Sequence, residues 1–197
     1  YYSLADDYPV FHITCITHRK NPIYSATIVG KPPMEDCFLA KATERIFLPL
    51  LQQTLPEIRD INFPLEGVFH DCVMVSIKKT YPQQAKKVMH AIWGMGQMMF
   101  TKMIIVVDEH VDVQKEKEVW WRVFNNIDAK HDIVMVEGPL DALDHSSPMA
   151  KWGTKIGIDA TKTWPEEGHT REWPDEINMS DDIKKLVDAK WQELSLE

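Results

Sequence analysis

The sequence contains little cysteine, and this shortage excludes two kinds of stabilised domain. Only three cysteines occur in 197 residues, at Cys15, Cys37 and Cys72. They are too few and too widely spaced for a disulfide framework or a zinc knuckle. We therefore expect reduced, partly buried thiols and a cytoplasmic protein. A dinucleotide-binding loop is also missing, because Gly94-Met95-Gly96 is too short and follows a predicted helix instead of a strand.

The sequence also lacks an excess of positive charge and long apolar runs. The formal net charge is -8, which argues against a nucleic-acid surface, since such surfaces are normally basic. No apolar run reaches the length of a membrane span. The first residue is Tyr1, and neither a basic leader nor a signal-type apolar segment follows it. We therefore expect a piece of a longer protein.

What the chain does contain is enough apolar material for one ordered core. Apolar residues make up 44% of the sequence, and seven residues are tryptophan, which argues against disorder. Alternating apolar residues predict strands over residues 10–17 and 23–29. Helical spacing predicts a long helix over residues 34–53, with a kink or a break at Pro49.

The middle of the chain alternates between predicted strands and helices, which indicates an α/β domain with at least one parallel strand pair. The expected elements are a strand over 69–79, a helix opened by Pro82, a strand over 102–107 buried on both faces, a helix capped by Asp112, a buried strand over 132–136, and a tail helix capped by Ser180. We predict a layered α/β fold with a mixed sheet. Residues 1–60 would be a connector of strands and one long helix from a preceding domain, and 61–197 a C-terminal α/β domain with an aromatic tail.

Two acidic segments offer candidate chemistry, each with a simpler alternative. Residues 108–112 (Asp-Glu-His-Val-Asp) follow the most buried strand and could bind a divalent cation. The same acids also suit the start of a helix, where they complement the helix dipole. Asp144, His145 and Ser146 contain the residue types of a hydrolytic triad, but neighbours in one loop rarely form that relay. Local turn hydrogen bonds explain them better.

The segment from 137 to 173 carries three tryptophans among glycine and proline, and we interpret it as an ordered, loop-rich tail. Together with earlier motifs, it resembles the C-terminal part of the UbiD-type decarboxylases, the 3-octaprenyl-4-hydroxybenzoate carboxy-lyase family. The matching motifs are Ile16-Thr17-His18-Arg19 with Ile23-Tyr24, Gly30-Lys31-Pro32-Pro33, Pro56-Glu57-Ile58, Pro64-Leu65-Glu66-Gly67, residues 101–106, Ser147-Pro148, residues 157–165 and Arg171-Glu172-Trp173.

This resemblance implies an enzyme that removes carbon dioxide from aromatic or α,β-unsaturated acids with prenylated FMN, a divalent metal (Mn or Mg) and potassium. In the family, the flavin and the Glu-Arg-Glu catalytic network belong to an N-terminal domain, and the last catalytic acid precedes the position of Tyr1. The resemblance therefore implies no catalytic, cofactor-binding or metal-binding residue in this chain. The chain alone is expected to be inactive.

The resemblance also implies where this chain meets the substrate. The family loop that matches Gly138, Pro139 and Leu140 faces the substrate opposite the flavin. The turn near Pro33 and Cys37 matches a second pocket-lining segment. Expected partners are the chain's own N-terminal flavin domain, an aromatic acid, and further copies in a dimer or hexamer with the tail helix at the contact. A prenylated substrate would also bring the enzyme to the membrane surface.

Several assignments remain open at this point. The first is decarboxylation of polyprenyl-4-hydroxybenzoate to polyprenylphenol and carbon dioxide, as in ubiquinone biosynthesis. The second is decarboxylation of an acid of the menaquinone route or of another aryl acid. The third is a non-enzymatic assembly domain, and the fourth is a metal-dependent enzyme centred on residues 108–112.

Overall fold

Residues 2–68 and 70–191, which the computed structural model describes, build a five-stranded mixed sheet with helices on both faces. The regular elements in chain order are α1 (Glu35–Thr54), β1 (Ile58–Asn62), β2 (Cys72–Ile77), α2 (Gln84–Trp93), β3 (Met103–Asp108), α3 (Glu116–Asn126), β4 (Ile133–Pro139), β5 (Trp152–Asp159) and α4 (Asp181–Lys190). None of the helices in these described ranges is both long and apolar enough to cross a membrane. The predicted α/β fold with a mixed sheet is confirmed.

The sheet has the order β1-β2-β3-β5-β4. Strands β2, β3 and β5 run parallel, while β1 and β4 run antiparallel at the two outer positions. Because β4 pairs antiparallel with β5, the end of β4 lies at the same edge of the sheet as the starts of the three parallel strands. We call this the N-terminal edge, and the opposite one the C-terminal edge.

Strand β3 is buried on both faces, as its continuous apolar sequence predicts. Ile104 and Val106 point into a core shared with α2, and Ile105 and Val107 point into a core shared with α3. The alternation on β2 is the same, since Val73 and Val75 face the first core and Met74 faces the second. Burying a branched side chain of this size contributes roughly 1.5–3 kcal/mol each.

Helix α1 lies along β1 and starts near the N-terminal edge. It continues through Pro49 to Thr54, so the break expected at this proline does not occur. The buried Glu44 fixes the helix to the strand, because its Oε2 accepts a hydrogen bond of 2.8 Å from the backbone N–H of Phe63. The helix also has an exposed apolar face, formed by Phe38, Leu39, Ile46, Phe47 and Leu50.

The two strands predicted before α1 are absent from the described structure. Residues 10–17 and 23–29 have no regular secondary structure and are exposed throughout. A strand is stable only when a neighbour pairs with its backbone groups, and the described residues offer none there. The alternating pattern therefore indicates half-buried strands that lack a partner among residues 2–68 and 70–191.

Three further expectations for the second half were wrong. Strand β4 is a partly exposed edge strand and not a buried one. The segment interpreted as loop-rich contains β5, whose Gly153 and Gly157 weaken the strand pattern in the sequence. Asp112 does not cap α3, which begins at Glu116; instead its Oδ1 accepts a 3.0 Å hydrogen bond from the N–H of Gln114 in the preceding turn.

The tail helix was predicted correctly. Ser180 is its N-cap and accepts a hydrogen bond of 3.4 Å from the N–H of Ile183. None of the described residues of α4 is buried, and its apolar side chains Ile183, Leu186, Val187 and Trp191 are exposed. Leu194, the last apolar residue of the predicted helix, lies outside the described residues.

Gly157 of β5 allows α2 to pack closely on the sheet, and this generates a prediction. A Cβ atom at position 157 would lie 2.6 Å from Sδ of Met89 and 3.1 Å from Cη2 of Trp93. We expect Gly157→Ala to lower the free energy of unfolding by about 1–3 kcal/mol, because the buried helix must shift. Urea unfolding measures this. Gly30→Ala is the matched control, since nothing lies within 4 Å of its added Cβ, and equal stability of the two variants would contradict the prediction.

Candidate functional site

The N-terminal edge of the sheet collects both segments that were predicted to line the substrate pocket. Gly138 and Pro139 end β4, where they pair with Gly153 and Trp152 of β5. Cys37 lies in the first turn of α1, close to Leu65, which follows β1. The two segments therefore share one edge but occupy its opposite ends. Four strand spacings separate β1 from β4, which corresponds to about 19 Å.

The three predicted wall positions at the end of β4 differ in exposure. Gly138 is half-buried and Pro139 is exposed, whereas Leu140 is only 1% exposed. Leu140 packs against β5, since a Cβ on Gly153 would lie 3.0 Å from its Cδ1. Leu140 also donates its backbone N–H to the carbonyl of Lys151 at 3.0 Å. It therefore anchors the loop to the sheet, with Pro139 beside it at the surface.

A buried lysine lies behind Gly138, and sequence analysis missed it. A Cβ on Gly138 would come within 3.3 Å of Cε of Lys155, so the absence of a side chain at position 138 makes room for this lysine. The amine of Lys155 donates to the carbonyl of Met99. Burial lowers its pKa, because the charged form loses its hydration.

Pro33 and Cys37 differ in exposure in the same way as Pro139 and Leu140. Pro33 is exposed in the turn before α1, and Cys37 is buried. The thiol of Cys37 lies 3.8 Å from the carbonyl oxygen of Leu65 and its backbone N–H donates to Met34 O at 3.1 Å. This short network fixes the start of α1 against the connection that leads from β1 to β2.

A charged cluster connects the two ends of this edge. The loop after Leu140 folds back across the starts of β3 and β2, where Asp144 Oδ2 lies 2.8 Å from Nζ of Lys102. Asp141, three residues earlier in the same loop, has its Oδ2 3.1 Å from Nε2 of His70, which precedes β2. Asp71, the neighbour of His70, completes the cluster. These residues come from three separate segments, so no local sequence pattern could reveal the cluster.

The environment moves the pKa values of two aspartates in this cluster in opposite directions. Burial raises the pKa of Asp71, and the nearby carboxylates of Asp144 and Asp141 raise it further against the attraction of His70 and Lys102. Burial also opposes ionisation of Asp144, but hydrogen bonds from Lys102 and Ser146 outweigh it and lower its pKa to about 2. Asp144 is therefore the stable anion that holds Lys102.

The hydrolytic interpretation of this loop is not supported by its geometry. Asp144 Oδ1 accepts hydrogen bonds from both the N–H and the hydroxyl of Ser146, at 2.9 and 2.6 Å. Nε2 of His145 lies 3.1 Å from the carbonyl oxygen of Tyr2, in another segment. The predicted local turn hydrogen bonds are confirmed, and the three side chains do not form a relay.

The candidate metal site at residues 108–112 is also not supported. Glu109 pairs with Arg59 at 3.2 Å and Asp112 with Lys115 at 3.3 Å, so both carboxylates already have cationic partners. Within residues 2–68 and 70–191, no group of three or more His, Cys, Asp or Glu side chains is arranged to hold a metal ion.

Comparison of the sequence with known families matches the chain in two consecutive parts. Residues 37–160 match the 3-octaprenyl-4-hydroxybenzoate carboxy-lyase C-terminal domain, and residues 1–32 match the Rift-related domain of the same family. An uncharacterized protein of Archaeoglobus fulgidus is 56% identical over 98% of this chain, and one of Aquifex aeolicus is 49% identical over 100%. The chain spans 40% of the length of each of these relatives.

Solved structures give the same result. The closed form of vanillic acid decarboxylase from Sedimentibacter hydroxybenzoicus has a TM-score of 0.80 and 28% identity over 91% of this chain and 38% of its own. The UbiD-class enzyme HmfF from Pelotomaculum thermopropionicum, in complex with FMN, has a TM-score of 0.58 and 26% identity over 76% of this chain and 33% of its own. Because the family match covers well over half of the sequence, the chain belongs to the UbiD family of decarboxylases, the 3-octaprenyl-4-hydroxybenzoate carboxy-lyases.

Proposed function

We propose that this chain is the C-terminal part of a non-oxidative, prenylated-FMN-dependent decarboxylase of the ubiquinone-biosynthesis type. Its reaction would convert a polyprenyl-4-hydroxybenzoate to a polyprenylphenol and carbon dioxide. The observation that carries this proposal is the ordered match to two consecutive domains of the family. The similarity to an FMN-bound UbiD-class enzyme supports the cofactor.

We place the cofactor in the preceding domain, with its divalent metal and potassium. When bound, it supplies the electron sink that removal of a carboxylate requires. The residues of this chain fit a supporting role better than a cofactor site. At the N-terminal edge, Lys102 is already held by Asp144 and Ser146, so it is not free for a flavin phosphate. The chain alone would therefore lack activity.

The contribution of this chain to the substrate pocket would be an apolar wall at the N-terminal edge. Pro139 and Pro33 are exposed there, Gly138 is half-buried, and Leu140 and Cys37 anchor their backbones from inside. Apolar walls suit the ring of an aromatic acid and exclude water from the reacting centre. The Lys102–Asp144 pair would hold the loop after Leu140 in place.

The exposed apolar face of α1 supports a preceding domain as a partner. Five large apolar side chains on this helix are exposed: Phe38, Leu39, Ile46, Phe47 and Leu50. A contiguous apolar patch of this kind marks an interaction surface in soluble proteins. The exposed apolar residues of α4 would contact a second copy of the protein in the same way.

A second substrate class has its own support. The vanillic acid decarboxylase is the relative with a TM-score of 0.80, and vanillic acid is a small hydroxybenzoate without a polyprenyl chain. Decarboxylation of a comparably small aryl acid is therefore the alternative to the ubiquinone-type substrate. A substrate panel with both kinds of acid, tested on the full-length enzyme, separates the two.

The first prediction from this proposal tests which of the two domains binds the flavin. We expect this chain alone to be colourless and oligomeric, and a protein extended through the preceding domain to bind flavin. Flavin absorbance and mass in solution measure both properties. Ending the short chain at Met179 removes α4 but keeps Glu176 paired with Arg122. This truncation should reduce the number of subunits in the oligomer. Flavin binding by the short chain would refute the proposed location of the cofactor.

The second prediction concerns the pocket wall. Leu140→Met in the full-length enzyme nearly conserves volume and should cost less than about 1.5 kcal/mol of stability. If Leu140 shapes the wall, the ratio of kcat/KM between a small and a bulky aromatic acid should change by about tenfold. Leu143→Met is the matched control, because Leu143 lies three residues further along and is exposed. An unchanged ratio at position 140 would reject the wall.

The third prediction follows from the low pKa of Asp144. Its folded pKa of about 2 lies below the ordinary aspartate value of 3.8, so ionisation stabilises the folded state above pH 4. That contribution, roughly 2 kcal/mol, should disappear as the pH falls from 4 to 2. Asp144→Asn should lose stability at pH 7 and show a weaker pH dependence below 4 in urea unfolding.

The control for this experiment is Asp181→Asn, which removes an exposed ion pair to Lys184. Exposed pairs contribute little to stability, so this variant should behave like the unmodified protein. If the two variants unfold alike at every pH, the Lys102–Asp144 pair does not stabilise the loop.

A further inference from the structure

A crevice opens at the C-terminal edge of the sheet, opposite the edge that carries residues 138–140. After β2 the chain turns to α2 on one face, and after β3 it turns to α3 on the other face. The two connections diverge, and a gap remains between the ends of neighbouring parallel strands. In open α/β sheets, ligands bind in such gaps at the carboxyl ends of strands.

The gap is a cavity of about 270 Å³, which suits a ligand of few atoms. Its lining combines residues that end or follow each of the three parallel strands. They are Ile77 and Lys79, then Asp108, Glu109 and His110, then Lys162 and Trp164. None of these residues belongs to the predicted pocket wall.

A buried ion pair forms the base of the crevice. The side chains of Lys79 and Glu167 are 3% and 1% exposed, and their charged atoms are 2.5 Å apart. Nζ of Lys79 also donates to the hydroxyl of Thr161 at 3.1 Å and to the carbonyl of Lys162 at 3.2 Å, so its three N–H groups are all used. The pair therefore holds residues 161–167 rigidly and does not itself have capacity for a ligand.

Two further acidic residues around the crevice are paired with cations, and a third accepts a backbone hydrogen bond. Glu109 is 3.2 Å from Arg59, and Glu176 accepts two hydrogen bonds from the guanidinium of Arg122. Asp108 accepts the backbone N–H of Lys162 at 2.8 Å, and its burial favours the neutral acid by raising its pKa. Glu109 and Glu176 are therefore already matched by a cation each.

Lys162 is the lysine beside the crevice whose Nζ makes no hydrogen bond within the described part of the chain. Its side chain is 35% exposed, and the nearest carboxylate oxygen, on Glu176, is 3.9 Å from Nζ, beyond hydrogen-bond distance. Among residues 2–68 and 70–191, Nζ of Lys162 has no hydrogen-bond acceptor. His110, 52% exposed and 4.0 Å from Glu176, provides a second polar group beside it.

The opposite side of the crevice is apolar. Ile77 is fully buried at the end of β2, and the half-buried indole of Trp164 lies across Lys79, whose Nζ is 5.3 Å from the ring centroid. A ligand in this space therefore meets one aromatic surface and one ammonium group, whose ion-pair contact with Glu176 is long, at 3.9 Å. That combination favours an anion with an apolar body over an inorganic anion, which would leave the indole uncovered.

We propose that this crevice binds a small carboxylic acid, with its carboxylate on Nζ of Lys162 and its apolar body against Trp164. The assignment depends on the cavity and its partners and is independent of the decarboxylase proposal. Benzoate is the probe, because it has one carboxylate on a flat apolar ring. Inorganic phosphate is the comparison anion, because it lacks an apolar body.

The test uses the full-length protein in two measurements. Crystals soaked with benzoate locate the ligand, and calorimetric titration measures its affinity. We expect benzoate in the crevice, and Lys162→Gln should weaken the corresponding binding event at least about tenfold, as loss of a charge-assisted hydrogen bond implies. Lys162→Arg keeps the charge and should retain binding within about threefold.

Lys184→Gln is the matched control, since it also removes one positive charge but lies on α4, paired with Asp181. It should leave benzoate affinity unchanged, and urea unfolding should show that Lys162→Gln remains folded. The proposal fails if the crevice is empty in benzoate-soaked crystals, or if Lys162→Gln binds as tightly as the unmodified protein. Phosphate binding as tight as that of benzoate would overturn the role of Trp164.

Discussion

The burial of β3 on both faces is the constraint on which the rest of the structure depends. Its side chains alternate between two cores, so both faces of the sheet must be covered by helices. Helix α2 covers one face and α3 the other. Because these two helices follow neighbouring parallel strands, their connections must separate at the C-terminal edge. The crevice beside Lys162 is a direct geometric consequence of that separation.

The insertion of β5 between β3 and β4 has a second consequence, at the opposite edge. It makes β4 an outer antiparallel strand, whose end reaches the edge where the parallel strands start. The loop after Leu140 then folds back over β3 and β2, and Asp144 meets Lys102. One buried anion, kept charged by its hydrogen bonds, thereby fixes the segment that we propose as the substrate wall. In this proposal the wall gains rigidity from the ion pair.

The distribution of ion pairs distinguishes the two edges. At the C-terminal edge, Lys79 and Glu167 are nearly inaccessible and mutually satisfied, so they serve to hold the segment after β5. Lys162, in that same segment, retains an unused ammonium group. At the N-terminal edge, Lys102 is held by Asp144 and Ser146, and Lys155 is buried against a backbone carbonyl. The side chains of Lys102 and Lys162 are equally exposed, so it is their hydrogen-bond partners that distinguish them.

The sequence by itself determined the elements whose side chains repeat regularly and the family to which the chain belongs. The buried strand 102–107, the helix after Pro82 and the Ser180 cap depend on local patterns, which survive without tertiary information. The strand order, the edge position of β4 and the insertion of β5 were decided only in the tertiary structure, since Gly153 and Gly157 hide the strand pattern and their role is to permit close packing. The clusters around Asp144 and Lys162 were equally inaccessible, because each joins residues that are distant in sequence and meet only when the strands align.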